Sequence, residues 1–200
     1  MIKKKRTVIW NSHYTAEQCK QIEDICLTFP EKDATTIGVR GTEEIDDIRR
    51  SKIRFVKMHD MEGDFMGASH LSVELFKLCE TINDNYFKFK LGGVDSIQYT
   101  EYDASYSGHY GWHTDWDWSI DMNPIRKLSM TIQLSDGSEY EGGDFEIAHE
   151  LEIGDPNTKT LGTVICFPSF IHHRVTPITH GLRKSLVVWF TGPNLSLIHI

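Results

Sequence analysis

The sequence predicts an α+β protein, mainly β, in which N-terminal helices brace a jelly roll of short strands. Three observations carry this. Helical periodicity is confined to the first half of the chain. Past Asn83 apolar residues alternate with polar ones, the period of a strand with one buried face. Glycines at Gly92-Gly93, Gly142-Gly143 and Gly162 punctuate that half where turns or bulges are needed. Helices first and strands afterwards define the α+β class, and the number of short strands suits a jelly roll.

Each element has its own signal. Thr15 caps a first helix, and Gln18 three residues on completes a capping box. Cys19, Ile22, Cys26 and Phe29 follow at helical spacing until Pro30 stops them. A second helix carries Leu71, Leu75, Leu78 and Ile82 on one stripe. Residues 31–68 between them are polar and irregular, apart from Ile53, Phe55 and Val56, and receive no assignment. Strands are then expected where Phe87, Phe89 and Leu91 alternate with Lys88 and Lys90, and where Leu128, Met130, Ile132 and Leu134 alternate with polar residues. Segments 144–148, 163–167 and 184–190 read as strands too. The expected organisation is a single domain over 1–200, with 1–93 a helix-rich support and 94–193 the β core.

Bulk properties narrow the function. With 200 residues, 40% hydrophobic and 25% charged, the chain suits one globular domain with its own core. A net charge of -8 argues against a general binder of nucleic acid or anionic membrane, which would need basic patches. The run Lys3, Lys4, Lys5, Arg6 reads as a solvated N-terminal fringe. Cys19, Cys26, Cys79 and Cys166 form no C-x-x-C pair and point to a reducing compartment. No apolar run has the length of a membrane span, and the first residues lack a signal-peptide core. The expected location is cytoplasmic, with no membrane partner.

The chemistry gathers in "YGWHTDWDWS", residues 110–119. In a strand, residues i and i+2 share a face, so His113 and Asp115 can aim at one point. Two ligands leave a metal underbound. His172 and His173 stand downstream, and a strand turns only one of them toward the ion. Two histidines and one carboxylate on one side of an ion give the facial arrangement of non-haem Fe(II) oxygenases. Arg183, ten residues past His173, and Ser185 share a strand face. A guanidinium fork and a hydroxyl suit the distal carboxylate of a dicarboxylic co-substrate.

These motifs resemble the Fe(II)- and 2-oxoglutarate-dependent dioxygenases, in particular the prolyl 4-hydroxylase-like branch of bacteria and phages. The resemblance spans roughly residues 95–193: "IQYTEYDASYSGHYGWHTD", "RKLSMTIQLSD", "YEGGDFEI" and "FPSFIHHRVTP...GLRKSLVVWFTGP". It implies a double-stranded β-helix with Fe(II) held by His113, Asp115 and His173, and 2-oxoglutarate anchored by Arg183. His173 is preferred over His172 because it precedes Arg174-Val175 and starts the ten-residue step to Arg183. It further implies O2 as oxidant, ascorbate as reductant, release of succinate and CO2, and hydroxylation of an unactivated C–H. The substrate implied is a prolyl residue of a peptide or protein; another side chain or a small molecule is the alternative.

The remaining candidates follow. A family tyrosine before the first histidine bonds the co-substrate, and Tyr102, eleven residues ahead of His113, is matched to it; Tyr99 and Tyr110 are the alternatives, Tyr99 reading better as core. Thr131 and Gln133 are candidates for the co-substrate pocket, or polar residues of a strand face. Trp116 or Trp118 is expected to contact the substrate at the site mouth, against a reading as core packing. His109 lies near the pair but out of register. Two other classes compete: a zinc hydrolase on the same ligands, and a non-catalytic jelly-roll binding module.

Overall fold

The structure is a computed structural model that describes residues 7–34, 48–57, 59–60, 63–64, 68–116, 124–148 and 158–193. The chain opens with β1 (Val8–Trp10), α1 (Ala16–Leu27), β2 (Lys32–Asp33), β3 (Arg49–Arg50) and β4 (Lys52–Val56). After β5 (His59–Asp60) and β6 (Gly63–Asp64) comes α2 (Ala68–Ile82). The core strands are β7 (Gly93–Asp103), β8 (His109–His113), β9 (Ile125–Gln133), β10 (Tyr140–Gly142), β11 (Phe145–Ile147), β12 (Val164–Pro168), β13 (His173–Val175) and β14 (Ile178–Gly192).

Two antiparallel sheets make the jelly roll. The major sheet runs β1-β12-β9-β14-β7-β4-β2, with β10 also on β14. The minor sheet runs β11-β13-β8-β3. Alternation in β9 explains how one strand serves two faces. Leu128, Met130 and Ile132 enter a core with Leu71, Leu75 and Ile82 of α2 and with Cys19, Ile22 and Cys26 of α1. Ser129 and Thr131 point the other way, toward the minor sheet, where Ser129 bonds Asp115 and Thr131 lines a cavity. All four cysteines are buried free thiols.

The first helix forms as its signals require. Thr15 Oγ1 accepts from the Gln18 amide at 3.2 Å, and the Gln18 side chain accepts from the Thr15 amide at 2.9 Å. Two expectations are corrected. Residues 87–91 form no strand: 83–87 is a π-helical turn, and Lys88 turns left-handed at φ 65°. The Asn83 side chain is the reason. Its oxygen accepts from the Phe89 amide and its nitrogen donates to the Phe89 carbonyl, both at 2.8 Å, which occupies the groups a strand would pair. The N-terminal region is also more than a helical support. It gives β1, β4 and β2 to the major sheet and β3 to the minor one. Ile53 and Val56 are buried while Phe55 stays 43% exposed, so the short apolar stretch is a strand near the sheet edge.

Candidate active site

Cross-strand pairing builds the centre. β13 and β8 are antiparallel neighbours in which His173 and His113 are direct partners. Just past β8, the Asp115 amide donates to Ser169 O at 2.9 Å, fixing the chain where the carboxylate turns inward. Asp115 Oδ1 lies 3.6 Å from His113 Nε2, and Oδ2 lies 3.5 Å from His173 Nε2. One ligand atom from each residue falls within 4.8 Å of the other two. His172 alternates to the opposite face and is exposed.

The surroundings prepare these atoms for a cation. His113 Nδ1 sits 2.8 Å from Gly111 O, and His173 Nδ1 sits 3.0 Å from Ile171 O. A carbonyl only accepts, so each Nδ1 carries the proton and each Nε2 presents a lone pair inward. Burial pushes the His173 imidazole down to about 4, which leaves it neutral at pH 7. Burial alone would raise the Asp115 carboxyl. The facing imidazoles of His173 and His113 and the Ser129 hydroxyl outweigh it and hold the group below the usual carboxylate range. Ser129 Oγ donates to Asp115 Oδ2 at 2.6 Å and lies 3.0 Å from Ser169 Oγ. Two imidazoles and a carboxylate, each oriented by a second hydrogen bond, fit a divalent ion of intermediate softness. Aromatic rings pack the imidazoles: Tyr110 stacks on His113 with centroids 3.5 Å apart, and Phe167 meets His173 at 4.7 Å.

The triad lines a cavity of about 250 Å³ that also receives Arg183, Ser185, Tyr102 and Thr131. Arg183 is 1% exposed, and its Nε has no hydrogen-bond partner among the described residues. A buried, unsatisfied guanidinium is costly, so the cavity suits an anion. Tyr102, the cross-strand partner of Arg183, presents its ring 5.5 Å from the guanidinium carbon. Arg183 and the triad line the same cavity.

The other candidates separate. Gln133 is fully buried, donates to Thr158 O, and does not line the cavity. Its amide nitrogen is committed to that bond, while its Oε1 has no hydrogen-bond partner among the described residues. Tyr99 is core, its hydroxyl 2.9 Å from both Glu23 Oε1 and Glu101 Oε1. Trp116 is 8% exposed, sits edge-on to Phe170 at 6.3 Å and does not line the cavity. It reads as packing and not as a substrate contact. Trp118 lies outside the described residues. His109 holds its own turn, with Nδ1 2.8 Å from Ser107 O.

Several cavity residues carried no signal in the sequence. Arg49 of β3 is buried, donates from Nε to Ser51 Oγ at 2.9 Å, and places its guanidinium carbon 4.4 Å from the Tyr110 ring centroid. Gln98 of β7 donates to Thr100 Oγ1 at 2.7 Å. Arg126 covers the Trp189 ring at 4.2 Å and pairs with Asp95. These residues meet only across strands distant in sequence. Ser129 alone was within reach, because it shares the polar face of β9 with Thr131.

A jelly roll that gathers two histidines and a carboxylate on one side of a cavity defines the class of mononuclear non-haem iron oxygenases. Residues 97–191 match the model of the 2OG-Fe(II) oxygenase superfamily. A PKHD-type hydroxylase of Synechococcus sp. strain JA-2-3B'a(2-13) is 34% identical over 99 residues, which cover 48% of this chain and 42% of the relative. A second, from Synechococcus sp. strain CC9902, is 41% identical over 81 residues, covering 40% and 35%. The chain thus spans under half the length of these curated relatives. Among solved structures the fold is similar to a viral collagen prolyl hydroxylase from Paramecium Bursaria Chlorella virus-1, determined as a 2OG complex. That likeness has a TM-score of 0.68 at 14% identity and covers 94% of this chain and 97% of the other. A prolyl-4-hydroxylase of Pseudomonas putida gives a TM-score of 0.65 at 16% identity, covering 93% and 92%. A Trichoplax adhaerens prolyl hydroxylase in complex with a hypoxia inducible factor peptide gives 0.67 at 17%, covering 93% and 83%.

Proposed function

We propose that the chain is an Fe(II)- and 2-oxoglutarate-dependent dioxygenase that hydroxylates a prolyl residue of a peptide or protein. One observation carries this reading: the His113, Asp115 and His173 ligand atoms line the same cavity as Arg183, whose Nε has no hydrogen-bond partner among the described residues. Iron, 2-oxoglutarate and O2, when bound, would supply the chemistry: one atom of O2 enters succinate as CO2 is released, and the other enters a C–H bond. The chain's own residues do the rest. His113 and His173 offer Nε2 lone pairs in a fixed tautomer. Ser129 aims the Asp115 carboxylate. Arg183 fixes the distal carboxylate of the co-substrate, assisted by Ser185 and Tyr102. The aromatic wall of Tyr110, Phe145 and Phe167 keeps water from the centre and limits side reactions.

The curated hydroxylase relatives and the fold shared with prolyl hydroxylases, one of them bound to a peptide, support a peptide or protein substrate. The test is succinate formation from 2-oxoglutarate with added Fe(II) and ascorbate, followed by mass spectrometry of a treated lysate for oxygen added to proline. Succinate without oxidised proline would redirect the substrate to another side chain or a small molecule. Metal-dependent hydrolysis without succinate would favour the zinc reading.

A further inference from the structure

Three arginines line the cavity, Arg49, Arg126 and Arg183, in a chain whose net charge is -8. Two of them have an assignment. Arg126 pairs with Asp95 at 2.7 Å, and Arg183 is read as the co-substrate anchor. Arg49 is left over. It is 7% exposed, yet it forms no ion pair among the described residues. Its side chain bonds neutral groups: Nε donates to Ser51 Oγ at 2.9 Å, and the guanidinium also bonds the Tyr110 hydroxyl. Burial pushes that phenol up to about 12, so it carries no negative charge at pH 7. The loaded centre supplies none either. With both histidines as neutral ligands, Fe(II), Asp115, a dianionic 2-oxoglutarate and Arg183 balance to zero. A buried cation without a counter-charge is costly.

The place of Arg49 says which molecule brings the anion. It stands opposite Tyr110 on β3, in the minor sheet, while Arg183 belongs to the major sheet. Its guanidinium carbon lies 4.4 Å from the Tyr110 ring centroid, and that ring stacks on His113 at 3.5 Å. Arg49 is therefore one ring away from a metal ligand, on the wall opposite the co-substrate anchor. We propose that Arg49 sets substrate choice by taking a carboxylate of the prime substrate close to the carbon that is hydroxylated. This rests on the dioxygenase reading and narrows its substrate to an acidic one. The carboxylate is either an acidic side chain beside the proline or a free α-carboxylate on it. The Ser51 and Tyr110 bonds hold the guanidinium in place before the substrate arrives, which lowers the ordering cost of binding.

The test uses peptides of glycine and alanine with one proline, carrying Asp, Asn or Lys at each of the two positions on either side. A further pair ends in proline, as the free acid or the amide. Dissociation constants are measured by fluorescence anisotropy on protein loaded with Fe(II) and 2-oxoglutarate under nitrogen. One Asp position, or the free-acid end, should bind about tenfold or more tightly than its neutral twin, and which of them does so identifies the source of the carboxylate. Arg49→Gln keeps hydrogen-bond donors and removes the charge, and should bring acid and neutral twins to equal affinity. Arg49→Lys keeps the charge and should retain part of the preference. No preference in the parent protein would mean that the chain or solvent meets the Arg49 charge, and would overturn the proposal. A preference that survives Arg49→Gln would place the carboxylate elsewhere and overturn it too. Equal losses for acid and neutral twins, with a lower melting temperature, would make Arg49 structural and overturn it as well. Succinate formation by the parent is measured alongside. If it is absent, the dioxygenase reading itself has failed; if it is present without an acid preference, only the role of Arg49 has.

Discussion

At the scale of single residues, the separation of roles is testable. Replacing His113, Asp115 or His173 by Ala should abolish succinate formation, whereas His172→Ala should retain most of it, because His172 faces outward. A dead His172→Ala beside an active His173→Ala would reverse that choice. Ser129→Ala removes the 2.6 Å bond that aims Asp115. Loss of such an outer partner weakens metal binding by roughly 10–100-fold, readable as the Fe(II) concentration giving half-maximal turnover. Arg183→Ala should raise the KM for 2-oxoglutarate roughly 10-fold or more, since a charge-assisted hydrogen bond contributes about 1.5–3 kcal/mol. Iron affinity should stay near the parent value. Arg183→Lys keeps the charge but not the fork, and should keep partial activity. Trp116→Ala should cost about 3–5 kcal/mol as a core truncation. Melting temperature, uncoupled turnover and coupled turnover should fall together. Loss of coupled turnover alone would restore the substrate-contact reading.

At the scale of elements, the site depends on which strands pair. His173 reaches His113 because β13 and β8 are neighbours, and Arg183 reaches Tyr102 because β14 and β7 are. The helices contribute by covering the other face of the major sheet, not by touching the cavity. The capping box on α1 is therefore a test of stability separated from chemistry. Thr15→Ala should cost about 1 kcal/mol, which lowers the melting temperature by roughly 2–4 °C in a domain of this size. The KM for 2-oxoglutarate should not move. A changed KM would mean that α1 reaches the cavity through the sheet more strongly than its packing indicates.

At the scale of the whole molecule, the triad turns its ligand atoms toward one cavity, and the buried Arg183 Nε has no hydrogen-bond partner among the described residues. Ligands that pair them bind the native state alone and should stabilise it by mass action. Fe(II) and 2-oxoglutarate at about 100 times their dissociation constants should each add roughly 2.7 kcal/mol, seen as a rise in melting temperature under nitrogen. Chelation should reverse the metal's share. An unchanged melting temperature would argue against both sites. No helix among the described residues is long and apolar enough to cross a membrane.

What the sequence determined by itself was local or periodic. The Thr15–Gln18 capping box, the alternation of β9 and the i, i+2 placement of His113 and Asp115 each need only a few neighbouring residues. The choice of His173 over His172 and the matching of Arg183 came from ordered motifs at family spacing, which reflect the same strand geometry. Tertiary structure decided everything that crosses strands. It buried Trp116 against Phe170 and tied Gln133 to Thr158. It also brought Arg49, from a distant strand, to the same cavity. A chain's local pattern fixes which face a side chain leaves by. What it meets there depends on sheet order and register, set by how the whole apolar surface is buried, and no short window of sequence contains that sum.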